Sequence, residues 1–286
     1  MGSVYTLNNG VKGVEEARLE TQHSSIFTPL TRTLLPDHIR AHLKSVGLSP
    51  AVADVATGTG VWLRSLAAEL PTSARLDGFD FDVSKFPDDP AMVTPNMTLS
   101  YVNMLEPFPE EMHGVYDLVH LRLVKFGVKA DQWTPLAENI LKLLKPGGWL
   151  LWDEMSYSSW IAVPVTQNFF DWISAEVRYA VSVGRDPNIG VTLPERVKRG
   201  GFVNCTQQTF SSFGSDDAAL RKGCGHALVA AASQSLRGIV DRGGFEHIQT
   251  HEDASRLVDA LNAEIDQGIT ELGFEMYWTI AQKPAE

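Results

Sequence analysis

Ala51-Val-Ala-Asp-Val-Ala-Thr-Gly-Thr-Gly60 is a short apolar run that passes straight into a glycine-bearing turn. Val61, Leu63, Leu66, Ala67 and Leu70 then recur at helical spacing as far as Pro71, so the segment predicts a strand, a tight turn and a helix. Glycines at such a turn let a ligand approach the backbone closely. No G-x-x-x-x-G-K-[ST] run exists in the chain, which excludes a P-loop. A dinucleotide fingerprint needs a third small residue at position 63, and Leu63 is too bulky for it. Asp54 sits inside the apolar run, where an ionised carboxylate is costly unless paired. It either caps the amides of its own loop or faces a cationic ligand; a phosphate would be repelled.

Outward from this turn, strand-length apolar runs recur at 75–81, 99–102, 116–121 and 149–152. Between the last two, Leu136, Ile140, Leu141, Leu143 and Leu144 mark a helix face, with Pro146-Gly147-Gly148 as its stop. Strands alternating with helices predict parallel βαβ units and an α/β, doubly wound sheet. Ligands bind such sheets at the carboxyl ends of the strands. Asp80 ends the second run, where nucleotide-type folds grip a ribose diol; a plain turn aspartate is the alternative. Gly273 to Ala281 alternates like a strand and predicts an antiparallel last member. Before the turn, residues 12–48 predict short helices cut by Pro29, Pro36 and Pro50.

These residues carry a resemblance. Asp54-x-Ala-x-Gly-x-Gly60 is similar to the first motif of class I S-adenosylmethionine-dependent methyltransferases, with Ala56 in place of the commoner first glycine. Asp80 to Pro87, Tyr116 to Arg122 and Leu144 to Trp149 continue the match in order. They look like the fungal secondary-metabolism group, which includes gliotoxin-type N-methyltransferases and a global regulator. The resemblance implies a Rossmann-like, seven-stranded, mostly parallel sheet with a helical lid over 1–48, a methyltransferase domain over 49–286 and an acceptor cover around 156–200. It implies S-adenosyl-L-methionine as cofactor, with Asp54, Ala56, Thr57, Gly58 and Gly60 under the methionine moiety. Asp80 would accept from both ribose hydroxyls and Phe81 would lie against the adenine. Asn103 stands where the family often has an aspartate that accepts from the adenine amine, and Met104 follows it; Met104 also reads as plain core. Gln22 and His23 fall in a stretch that resembles the lid helix, and a surface helix is the alternative.

Methyl transfer from a sulfonium is an in-line displacement of an already activated carbon, so positioning and water exclusion supply most of the acceleration. An amine acceptor needs only to be neutral, whereas a hydroxyl benefits from a general base, for which His120, His23 and Glu154 are candidates. His120 equally reads as a structural histidine, and Arg122 as a structural ion-pair partner. Glu154 ends the fifth strand, at the expected acceptor rim. Trp133, Trp149, Trp152, Trp160 and Trp172 crowd one window with Tyr157, Phe169 and Phe170. Trp152, Trp160, Phe169 and Phe170 are therefore candidates to face an apolar or aromatic small-molecule acceptor, although such stripes also build cores. Two alternatives share the fold: a cofactor-retaining pericyclase or isomerase, and a non-catalytic regulator.

Composition narrows the partners. With 24 basic and 35 acidic residues the net charge is −11, against broad nucleic-acid or anionic-membrane binding. No run reaches the length of a membrane span. Gly2 and Thr6 formally fit a myristoylation pattern, but no basic cluster follows. Cys205 and Cys224 match no zinc spacing, and the paired histidines His38/His42 and His247/His251 match no H-E-x-x-H, so no metal is expected. A cytoplasmic protein with free thiols is the simplest expectation.

Overall fold

The computed structural model describes residues 13–286; the Gly2–Thr6 pattern lies outside the described residues. Strand β1 (Ala51–Val55) is buried along its whole length. It pairs in parallel with β2 (Arg75–Asp80) on one side and β4 (Tyr116–Arg122) on the other. Parallel β3 (Met97–Tyr101) and β5 (Leu144–Glu154) extend the two wings. Antiparallel β8 (Glu271–Gln282) follows β5, and β7 (Val203–Ser211) closes the far edge against β8. The sheet has eight strands instead of the expected seven. The addition is β6 (Trp160–Val163), which pairs with Glu271–Phe274, the part of β8 that runs past the end of β5.

Side-chain alternation along β1 divides the core. Ala51, Ala53 and Val55 face α5 (Trp133–Leu143) and α7 (Ile189–Arg199), packing with Ile140, Leu193 and Val197. Val52 faces α3 (Asp37–Ser45) and α4 (Val61–Ala67), against Ile39, Leu43, Leu63 and Leu66. A third apolar cluster joins α6 (Gln167–Ser182), α8 (Ala218–Val240) and α9 (His251–Asp266) to Phe27 and the first half of β8. Cover over the sheet's carboxyl edge thus comes from two inserts. Helix α7, inside the expected 156–200 segment, packs under the sheet, while α8 and α9 come from a later stretch.

Local predictions differ at two prolines. Pro29 does not cut the N-terminal helix: α1 (Val14–Gln22) runs through a five-residue π-helical segment, His23–Phe27, into α2 (Thr28–Thr31). A wider turn before Pro29 accommodates its missing N–H and its clash with the preceding turn. The Pro146-Gly147-Gly148 stop is also misplaced, because α5 ends at Leu143 and Leu144 is already extended, making Pro-Gly-Gly part of β5. It lies where the β4–β5 register shifts between Tyr116 and Leu118.

At Gly190, α7 starts directly against the backbone after β5; a Cβ there would fall 2.7 Å from Met155 C and Ser156 N. Gly190→Ala is expected to destabilise the fold by about 1–3 kcal/mol, since main-chain atoms cannot rotate away. Urea unfolding of the variant measures this, and unchanged stability would contradict the packing described.

Candidate functional site

A cavity of about 880 Å³ opens where the carboxyl ends of β1, β2 and β4 meet the N-terminal helices. This is the switch point, with the chain departing to opposite wings from β1 and β4. The turn after β1 is shaped by three left-handed residues, Ala56 (φ 60°), Gly58 (φ 59°) and Gly60 (φ 75°). For alanine this conformation costs about 1–2 kcal/mol, strain that a glycine at this position would not carry. Thr57 N–H donates to Phe79 O at 2.9 Å, pinning the turn to β2. Gly58 lines the cavity under Leu19 of α1, and a Cβ there would come within 3.0 Å of that leucine. Gly60 instead clears room for Met97 and Leu99 of β3 and does not line the cavity.

Asp80 closes β2, with both carboxylate oxygens engaged. Gly58 N–H donates to Oδ2 and Asp82 N–H to Oδ1, each at 2.9 Å. Burial pushes its pKa up, opposed by Lys85, whose Nζ lies 4.0 Å away, and by these two amides. Thr57, Phe81, Asn103 and Met104 line the same lobe. Asn103 Oδ1 accepts from Leu105 N–H at 3.1 Å and Nδ2 donates to Glu106 at 3.0 Å. The Asn103 carbonyl oxygen thus keeps one free lone pair.

Asp54 is spent on its surroundings more than expected. Its Oδ2 accepts from Thr57 Oγ1 at 2.6 Å, and its Oδ1 lies 2.7 Å from His120 Nδ1. His120 stacks flat on Trp62, with centroids 3.7 Å apart, and its Nε2 lies 3.5 Å from Asp153 Oδ2. Burial lowers the imidazole pKa, but Asp54 and Asp153 more than offset it and hold the ring above its ordinary value. His120 lines the cavity with Nδ1 turned to Asp54 and Nε2 turned to Asp153, so both ring nitrogens face carboxylates and neither is turned to an acceptor as a base.

His23 is removed from that role for the opposite reason. Arg122 donates to its Nδ1 at 3.2 Å, and its Nε2 pairs with Ser65 Oγ at 2.8 Å. Burial, then Arg122 and His120, pull its pKa down to about 3. Its lone pair is taken, and Gln22 lines the cavity in its place. Glu154 is not at a rim. It is fully buried, with Val124 N–H donating to Oε2 at 2.9 Å and Met155 N–H to Oε1 at 3.0 Å. Burial raises its pKa to about 7 against the pull of Lys125 and the amides. The antiparallel cover of β8, which pairs Tyr277 with Glu154, explains why this strand end is sealed.

Of the aromatic candidates, Trp160 lines the cavity. Trp152 is fully buried against Trp133 on the α5 side of the sheet, and Phe169 packs edge-on against Trp172 inside the third cluster. Phe170 is 56% exposed on the outer face of α6. Sequence reasoning missed Phe27, Lys125, Phe126, Met155, Leu228 and Phe274, which wall the second lobe. One signal was present: Lys125 is a lone charge in the apolar stretch Leu123-Val-Lys-Phe-Gly-Val128. Among the described residues no three His, Cys, Asp or Glu side chains converge as a metal site, and no helix is long and apolar enough to cross a membrane.

The two histidines contribute to the pH dependence of stability with opposite signs. His23 has a folded pKa below its unfolded value of 6.5, so its contribution is present above pH 6.5 and lost as pH falls toward 3. His120 has a raised folded pKa, so its contribution is complete below pH 6.5 and lost as pH rises through the folded value. In urea titrations from pH 4 to 9, His23→Gln is expected to flatten the acid limb and His120→Gln the alkaline limb, each by up to about 1.4 kcal/mol per pH unit. Limbs unchanged by both variants would refute the assignment.

No family model matches the chain. Among curated proteins it is 30% identical to the N-methyltransferase tcpN of Claviceps purpurea over 202 residues, 68% of each chain. It is 37% identical to the methyltransferase grgD of a Penicillium species over 165 residues, 55% of this chain and 54% of grgD, so the match spans about half of that relative's length. Among solved structures, phosphoethanolamine N-methyltransferase 2 of Haemonchus contortus superposes with a TM-score of 0.53 at 14% identity, covering 99% of this chain and 60% of that one. The [4+2]-cyclase SpnF superposes at 0.52 and 14% identity, covering 100% of this chain and 89% of its own. At such identities the structural likeness establishes the fold, and the sequence match to tcpN establishes kinship. The chain belongs to the class I S-adenosylmethionine-dependent methyltransferases, in their fungal secondary-metabolism group.

Proposed function

We propose that the protein transfers a methyl group from S-adenosyl-L-methionine to a hydroxyl or amine of an apolar or aromatic small molecule of secondary metabolism. The observation that carries this is Asp80, a buried carboxylate fixed by Gly58 and Asp82 amides at the mouth of a two-lobed cavity. Each of its oxygens retains a lone pair for a ligand hydroxyl. The residues fit the cofactor: a carboxylate-lined lobe suits a cationic nucleoside, the turn leaves no side chain at Gly58, and the volume lies in the range of roughly 300–1,000 Å³ typical of ligand sites. Names of the relatives, a methyltransferase and an N-methyltransferase, support the same chemistry.

When bound, the cofactor supplies a methyl carbon already activated by a sulfonium sulfur. What remains for the chain is to bind, orient and exclude water. Asp80 would hold the ribose, Asn103 and Phe81 the adenine, and the Ala56–Gly58 backbone the amino-acid end. Asp54 stands beside the turn while His120 fixes the direction of its carboxyl group. Leu19 and Phe27 of the N-terminal helices cover the crevice, and Arg122 underlies Phe27 with its guanidinium 5.0 Å from the ring. The second lobe is apolar, which motivates the substrate class.

Calorimetric titration with S-adenosylhomocysteine tests the cofactor site. Asp80→Ala is expected to weaken binding about 10- to 100-fold, the loss typical of a hydrogen bond to a charged group. Asp80→Asn, which keeps one acceptor, should lose less. Unchanged affinity in the alanine variant would overturn the site. With an acceptor in hand, product formed without S-adenosylhomocysteine would reassign the cavity to a cyclase or isomerase.

A further inference from the structure

The second lobe of the cavity is walled by Phe27, Phe126, Met155, Trp160, Leu228 and Phe274, and into this apolar wall the chain inserts Lys125. The lysine is 3% exposed. Its Nζ sits 4.2 Å from the ring centroids of both Tyr157 and Trp160, and 5.4 Å from that of Phe126. Three ring faces favour a cation but offer a hydrogen bond no lone pair of comparable strength. Among the described residues Nζ has no hydrogen-bond partner. Glu154 lies nearby, but its oxygens are turned to the Val124 and Met155 amides. As an ammonium, Nζ thus leaves its N–H donors unmet within the wall of an apolar cavity, with less than 1 Å² of the nitrogen exposed, a costly arrangement if nothing completes it.

The geometry points to Lys125 as the polar contact of the acceptor lobe, a catalytic group that holds the hydroxyl oxygen of an apolar phenol or enol and takes its proton. This rests on the methyltransferase reading and narrows its substrate to an acidic hydroxyl. In the step, the neutral Lys125 amine accepts the hydroxyl proton while an oxygen lone pair forms the bond to the methyl carbon. The carbon–sulfur pair returns to sulfur, and the positive charge that leaves the sulfonium reappears on the Lys125 ammonium. Glu154 acts through Lys125 as a positioning residue, tying the 123–125 backbone to β5. Surroundings tune the amine for this exchange. Burial pulls its pKa down, Glu154 on β5 and Glu176 on α6 push it up, Arg185 pulls it down, and the balance is about 7.

Two measurements on the full chain test this. First, the wild-type protein is treated with 1-fluoro-2,4-dinitrobenzene, an apolar aromatic reagent selective for neutral amines, and labelled lysines are mapped by mass spectrometry. Lys125 is expected to react at lower pH than exposed lysines such as Lys44. An unlabelled Lys125 beside labelled surface lysines would show an amine sealed in the core and overturn the proposal. Second, the S-adenosylhomocysteine-loaded protein is titrated with 4-nitrophenol at pH 6, where the nitrophenolate band reports proton transfer. The wild type should enhance that band, and Lys125→Met should weaken the effect at least tenfold while still binding S-adenosylhomocysteine. Equal spectra for the two proteins would sink the acceptor role. Failure of S-adenosylhomocysteine to bind the wild type would instead strike the cofactor reading, and the labelling result would stand by itself.

Discussion

A buried imidazole between two carboxylates governs the architecture of the site. Asp54 on β1 and His120 on β4 are register partners, and Asp153 on β5 meets the other ring nitrogen. Three central strands are thereby tied together at their carboxyl ends by side chains as well as by the backbone ladder. The same centre reaches outward. Trp62, stacked on the imidazole, fixes the first turn of α4, and Thr57, donating to Asp54, fixes the glycine-bearing turn. A carboxylate in such a setting is stable only while its partner is present, since an uncompensated buried charge is far more costly than the pair. The cradle therefore depends for its shape on this pairing of Asp54 with His120 and Thr57.

Strand, turn and first helix were legible in sequence because each has a local signature: an apolar run, glycines, then helical spacing. Asp54 and Asp80 stood out because carboxylates at the ends of apolar strands need partners. Their partners were not legible, because His120 lies sixty-six residues from Asp54 and becomes its neighbour only through strand pairing. Ala56 stands where the resemblance expects a glycine, and it takes the left-handed conformation that glycine would adopt without strain. The aromatic window misled for a related reason. Its tryptophans alternate between sheet faces and clusters: Trp133 and Trp152 pack beneath the sheet, Trp160 and Trp172 above the carboxyl edge. Spacing identifies a buried face without stating what the face meets.

The two lobes of the cavity differ in how they are built. Residues around the turn belong to consecutive strand–turn–helix units, so their placement follows from the doubly wound order. Residues of the second lobe come from the N-terminal helices, the loop after β4, the segment after β5, α8 and β8. Lys125 acquires meaning only when Tyr157 and Trp160 fold over it. Such a lobe can change its lining without disturbing the cradle, because few of its members share a hydrogen bond with the turn. That separation suits a common cofactor site serving different acceptors.

Strand β8 has a consequence for the birth of the molecule. It contributes Leu272, Phe274 and Met276 to one apolar cluster, Trp278 and Ile280 to a second, and Ala281 to the third. It also pairs with three other strands. Strands β5, β6 and β7 therefore each wait with an unpaired edge until residues 271–282 emerge. At about 5–20 residues per second, the stretch from the end of β5 to the end of β8 takes several seconds to synthesise. During that interval the edge of β5 that β8 will cover stays unpaired, a template for wrong strand pairing.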